Sequence, residues 1–199
     1  MRVALVSTKG GTGKTTSAVF LGLLLHRMGR TLAVDADPQG SLMSWAGRAD
    51  EAARPLPFPV ISLPARDLHR RLADVGADYE HVVIDAPPGE LGIIRAAVMA
   101  ADVVIVPVSQ TGLDLDRIRP TFELLADIEP VHPVSVGVLL TRVRRGTRAR
   151  VAARELLGEF GYPILDAEIP LAELYAGAFG AAPAEPGEYE AVLTEIKAS

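Results

Sequence analysis

Short apolar runs recur along the chain and alternate with longer stretches of helical character. The runs are Val3–Val6, Thr31–Val34, Val60–Ile61, His81–Asp85, Asp102–Val108, Val134–Thr141 and Leu165–Ile169. Asp102–Val108 is apolar without period-two alternation, which predicts a strand buried on both faces. Between and after the runs, residues 17–27, 41–47, 67–74, 114–128, 147–160, 171–179 and 188–197 read as helices, with Asp67 near a cap and Gly29 placed to stop the first helix. Residues 48–57 are charged and Pro-rich and read as a surface loop, and residues 180–187 read as a flexible linker. Strands alternating with helices predict an α/β fold, a doubly wound and mostly parallel sheet with helices on both faces. At 199 residues the length predicts one domain covering residues 1–199.

The first strand and first helix are separated by Lys9-Gly10-Gly11-Thr12-Gly13-Lys14-Thr15-Thr16. Strand, glycine-rich loop and helix form the context of a phosphate-binding loop, with Lys9 where that pattern usually has glycine. Glycines let successive amides turn inward, and the helix N-terminus adds unpaired N–H groups and a positive dipole end. Lys14 is expected to reach the β- and γ-phosphates, and the Thr15 hydroxyl to bind Mg²⁺. An ordinary glycine turn before a helix is the plainer alternative. The later motifs count against it. Asp35 and Asp37 end the second strand and precede Pro38 and Gly40; ligands of open parallel sheets lie at such ends. Asp85 ends the fourth run and is expected to hold Mg²⁺, and Pro87-Pro88-Gly89 forms a turn beside the γ-phosphate, where Gly89 N–H is able to sense hydrolysis.

Composition narrows the chemistry. There is no cysteine, which excludes disulfides, thiolate metal sites and iron–sulfur clusters. The four histidines are scattered without metal-ligand spacing. Only 5% of residues are aromatic, so aliphatic side chains must fill the core, and Trp45 is expected within it. The chain starts directly on a strand and its longest apolar run, Ala18–Leu25, is far short of a membrane span, which predicts a cytoplasmic protein. Net charge is −5, yet residues 142–154 hold six arginines and no acid. Such a cluster is suited to phosphates of DNA without reading bases. The alternative is a solvated helix face paired with acids such as Glu155 or Glu159.

Residues 9–16, 34–41 (VDADPQGS) and 82–89 (VVIDAPPG) together resemble the ParA/MinD family of deviant Walker ATPases, in order and spacing and over nearly the whole length. Among its members the chain looks most like the small plasmid-type ParA partition ATPases. The resemblance implies ATP and Mg²⁺ as cofactors, with Lys9, Lys14 and Asp37 as catalytic residues. Lys9 matches the signature lysine that reaches a dimer partner's nucleotide, and Asp37 the acid that orients the attacking water. Gly10, Gly11, Thr12, Gly13, Lys14, Thr15 and Thr16 match the phosphate contacts; Thr141, Arg142 and Pro170 fall where the adenine is held. Thr15, Asp35 and Asp85 match the metal site, and Asp35 with Pro87, Pro88 and Gly89 the switch. Arg144, Arg145, Arg148 and Arg150 fall where relatives contact DNA.

The implied activity is an ATP hydrolase, weak without a stimulating partner, that dimerises on ATP, holds non-specific DNA on the nucleoid and answers to a ParB-type centromere-binding adaptor. The acidic C-terminal tail argues against the membrane role of MinD relatives. Two other readings stand beside DNA partition. One keeps the switch but positions a protein assembly or regulates division. The other is a metabolic P-loop ligase or kinase, against which Lys9 and the lack of a substrate-binding insertion count. A nucleotide-binding regulator without turnover is disfavoured by the presence of both Asp37 and Asp85.

Overall fold

The computed structural model describes residues 1–110 and 118–198. The apolar runs become seven strands: β1 (Arg2–Leu5), β2 (Thr31–Asp35), β3 (Val60–Ser62), β4 (His81–Asp85), β5 (Val103–Ser109), β6 (Ser135–Val143) and β7 (Ile164–Pro170). They form one sheet in the order β3-β2-β4-β1-β5-β6-β7, and every pairing is parallel. The expected architecture is therefore present, with no antiparallel strand among those described.

Parallel neighbours need crossovers, and helices supply them on both faces. On β1, Val3 and Leu5 point to one face, where they pack with α1 (Lys14–His26), α2 (Ser41–Glu51) and α8 (Tyr189–Ala198). Ala4, and Val6 just past the strand, point to the other, toward α3 (Leu68–Val75), α4 (Leu91–Val98), α5 (Arg119–Ile128) and α6 (Arg148–Glu159). A single-turn α7 (Glu173–Ala176) lies between β7 and α8.

Several boundaries differ from the sequence reading. Helix α4 was not expected; its residues LGIIRAAV are mostly apolar and lack a polar face to announce a helix. Helix α2 runs on to Glu51, into the segment read as loop. The predicted helix over 114–128 begins at Arg119 among the described residues, and its first four positions lie outside them. Only four residues of the predicted 171–179 helix are helical. Gly29 follows α1 without a left-handed backbone; a Cβ there would lie 2.7 Å from the Glu80 carboxylate, so close approach is its reason. Residues 180–187 are docked instead of being a free linker. Trp45 Nε1 donates to Ala181 O at 2.9 Å, and Ala182 N to Arg54 O at 2.9 Å.

Candidate nucleotide-binding site

The strand register gathers the chemistry at one edge of the sheet. Leu5 on β1 pairs with Asp85 on β4, and Asp85 pairs with Asp35 on β2. Two carboxylates and the glycine-rich loop thus emerge side by side at the carboxyl ends of three adjacent strands. Gly11 (φ 75°) and Gly13 (φ 95°) take left-handed backbone, which an L side chain adopts only at a cost of about 1 kcal/mol or more. Gly13 then caps α1, and Lys14 and Thr15 follow in its first turn with their amides unspent.

Asp85 is buried at 1% exposure. Its Oδ2 accepts the Thr15 hydroxyl at 2.6 Å, while Oδ1 is buried with no hydrogen-bond partner among the described residues. Burial pushes its carboxyl up to about 7, although the Thr15 hydroxyl and the Lys14 ammonium both favour the charged form. A carboxylate left half-satisfied beside a threonine hydroxyl is a donor set suited to a hard divalent cation. Lys14 is itself 6% exposed; burial lowers its pKa, against the pull of Asp85 and Asp37. Its ammonium donates to the Lys9 carbonyl at 3.0 Å, which holds the side chain folded over the loop.

Asp35 is fully buried and organises the neighbouring loop. Its two oxygens accept the amides of Asp37 (3.1 Å) and Met43 (2.8 Å), and burial raises its pKa. Asp37 in turn accepts the Gln39 amide at 2.9 Å and faces the cavity. The Pro87-Pro88-Gly89 turn comes close to the loop: a Cβ on Gly10 would lie 4.0 Å from Pro88. Gly89 has a left-handed backbone (φ 77°).

Two adjoining cavities share Gly13, Thr16, Arg142, Tyr175 and Ala176. The first, about 470 Å³, is walled by the loop, Asp37 and Pro88. The second, about 250 Å³, is lined by Thr141, Ile169, Pro170 and Tyr189 and is mostly apolar. Thr141, Arg142 and Pro170 meet at the second cavity. Thr141 also braces the loop, since its hydroxyl donates to Thr12 O at 2.9 Å. Thr12 is buried with its hydroxyl unpartnered among the described residues. Arg142 is held at φ 53°, a strained backbone for a non-glycine residue. Lys9 is half-buried beside the first cavity and does not belong to its wall.

Sequence reasoning missed the aromatic side of this site. Tyr175 and Tyr189 line the second cavity and pack on Phe20, each with ring centroids 5.1 Å away. Tyr189 shares a hydrogen bond with Ser17 at 2.8 Å. Trp45 is buried as expected, but it also walls the first cavity. The usable signal was the scarcity of aromatics: two of four tyrosines bracket the segment read as linker.

The arginine segment divides. Arg150 pairs with Glu168 at 2.6 Å, Arg154 with Glu168 and Asp166, and Arg145 with Glu188 at 2.9 Å. These partners lie on β7 and just ahead of α8, not at Glu155 or Glu159. Arg142, Arg144 and Arg148 are exposed, and none has an acidic partner among the described residues. Thr147 caps α6 by accepting the Arg150 amide, which contributes about 1 kcal/mol and fixes where Arg148 leaves the surface.

Comparison with known proteins agrees with this geometry. Residues 3–180 match the model of the CobQ/CobB/MinD/ParA nucleotide binding domain. Maintenance of carboxysome distribution protein A from Gloeobacter kilaueensis is 39% identical over 175 residues, covering 84% of this chain and 75% of that protein. Chromosome-partitioning ATPase Soj from Thermus thermophilus is 33% identical over 244 residues, covering 99% and 95%. Among solved structures, apo McdA from Cyanothece superposes with a TM-score of 0.81 at 22% identity, over 98% of each chain. The chain therefore belongs to the CobQ/CobB/MinD/ParA family of nucleotide-binding P-loop proteins.

Proposed function

We propose that this chain is an ATP hydrolase that dimerises on ATP and uses the cycle to position a cargo. The observation that carries this reading is the Thr15–Asp85 pair at the foot of the loop, with Asp85 Oδ1 buried and unpartnered. In that arrangement Thr15 and Asp85 hold Mg²⁺, with Asp35 behind them on the neighbouring strand. Mg²⁺, when bound, neutralises charge on the β- and γ-phosphate oxygens. Lys14 leaves the Lys9 carbonyl for the phosphates, the loop amides cradle them, and the apolar cavity takes the adenine. Asp37 orients the attacking water, and the Asp35 loop and the Pro87-Pro88-Gly89 turn sense the γ-phosphate.

In this reading Lys9 serves the partner's nucleotide, which its half-buried position outside the lining of its own cavity supports. A cation supplied across the dimer makes turnover depend on association. Replacing Lys9 by alanine should leave ATP binding within about threefold, while ATP-dependent dimers disappear and turnover falls by on the order of 10²-fold or more. Sedimentation velocity with and without ATP measures this; loss of nucleotide binding by the monomer would make Lys9 an in-chain ligand.

Two cargo readings have specific support. Likeness to Soj over 99% of the chain supports DNA partition, with nucleoid DNA as the track and a ParB-type adaptor as stimulator. Likeness to a carboxysome distribution protein at 39% identity supports positioning of a protein assembly by the same switch. Both use non-specific DNA in our reading, and the exposed Arg144 and Arg148 are its contacts. Arg150, held by Glu168, contributes chiefly to the fold. Replacing Arg144 and Arg148 together by alanine should weaken ATP-dependent DNA binding at least about tenfold and flatten its salt dependence, with ATP affinity kept. Fluorescence anisotropy on a labelled random duplex reads this, and unchanged binding would remove the surface from the reading. No helix among the described residues is long and apolar enough to cross a membrane.

A further inference from the structure

We infer that Arg145 is a positioning residue of the nucleotide cavity, which through Glu188 fixes Tyr175 against the cavity's apolar half. This rests on the reading of the cavity as a nucleotide site and reassigns an arginine first grouped with the DNA surface. Tyr175 is one of five residues common to both halves of the cavity. It sits on a helix of a single turn, which cannot hold its own geometry. Its position therefore depends on what grips it from outside.

Glu188 grips it twice: the Tyr175 hydroxyl donates to Glu188 Oε2 and accepts the Glu188 amide at 2.8 Å. Glu188 Oε1 takes the Arg145 guanidinium at 2.9 Å. The approach is close enough that a Cβ on Gly187 would lie 2.2 Å from the tyrosine oxygen, and Gly187 also has a left-handed backbone. Phe20 and Tyr189 close the ring in from the core side. Arg145 thus supplies the donor that holds the Glu188 carboxylate aimed at Tyr175. Arg144 and Arg148 on either side lack such a partner among the described residues. The ligand moiety that this wall serves is an aromatic base, not the phosphates, because Tyr175 and its supports flank the apolar half.

The test compares Mg²⁺-ATP with Mg²⁺-tripolyphosphate, which has no base, by calorimetry on the wild type and on Arg145→Ala, Arg145→Lys and Glu188→Gln. Arg145→Ala and Glu188→Gln should each raise the ATP Kd about tenfold and leave the tripolyphosphate Kd unchanged. The double variant should be no worse than either single one, and Arg145→Lys should recover most of the loss. At saturating ATP, Arg145→Ala should bind DNA as the wild type does. An unchanged ATP Kd, an equal loss for both ligands, or DNA binding lost at saturating ATP would overturn the inference. Wild-type protein that bound neither ligand would overturn the nucleotide reading with it.

Discussion

Asp37→Ala is expected to lower steady-state ATP turnover by on the order of 10²- to 10⁴-fold while ATP affinity stays within about threefold. The reason lies in how the loop is built. The Asp37 carboxylate faces the cavity beside Lys14, Thr15 and Thr16, and its field reaches both Lys14 and Asp85. Its amide, not its side chain, makes the bond to Asp35, so the alanine variant keeps the loop's anchor. Among the described residues the side chain itself holds only the Gln39 amide, worth about 1 kcal/mol. Loss of turnover with an intact fold should leave ATP-bound dimers that persist. Gel filtration with radiolabelled ATP, alongside rapid-quench measurement of a single turnover, gives both readouts. A variant that hydrolyses ATP at the wild-type rate would remove Asp37 from water activation.

Asp85→Asn should act on stability and on Mg²⁺ in opposite directions. The folded-state carboxyl sits at about 7, above its ordinary value of 3.8, chiefly through burial. A raised carboxyl binds more protons in the folded than in the unfolded chain. Its stabilising contribution is therefore full at acid pH, below the unfolded value, and is lost as pH rises through about 7. The loss approaches roughly 4 kcal/mol for an upward shift of this size. Ligand-free wild type should thus melt lower at pH 8 than at pH 6, beyond the change seen in Asp85→Asn, which removes the titration. Mg²⁺-ATP should restore the wild type at pH 8 and do little for the variant, whose ATP turnover should fall at least about 10²-fold. Parallel melting curves across pH for the two proteins would contradict the buried, proton-linked acid.

The parts legible from sequence were those with a local cause. Strands such as Val103–Ser109 announced themselves because burial on both faces demands unbroken apolar residues. The loop and its acids were legible because glycine spacing and strand-end carboxylates are written within a few residues. What escaped depends on residues far apart in the chain. Trp45 meets Ala181 across 136 positions, and Ser17 meets Tyr189 across 172. No window of sequence records such a meeting, so the 180–187 segment read as linker by composition alone. Arginine pairing failed for the same reason: the helix offered Glu155 and Glu159 at local spacing, while the fold delivered Glu168 and Asp166 from the adjacent strand. Helix α4 was lost between two stronger signals, the Pro-Pro-Gly turn before it and the apolar β5 after it.

Asp35 binds the amides of Asp37 and Met43, one on each side of a tight turn. The acid facing the cavity and the first turn of α2 are therefore fastened to a single buried carboxylate, like two arms on one pivot. A shift of Asp37 therefore loads the carboxylate that also holds the first turn of α2, at whose surface Met43 meets solvent, so this one side chain is a link between the cavity and the outside of the molecule.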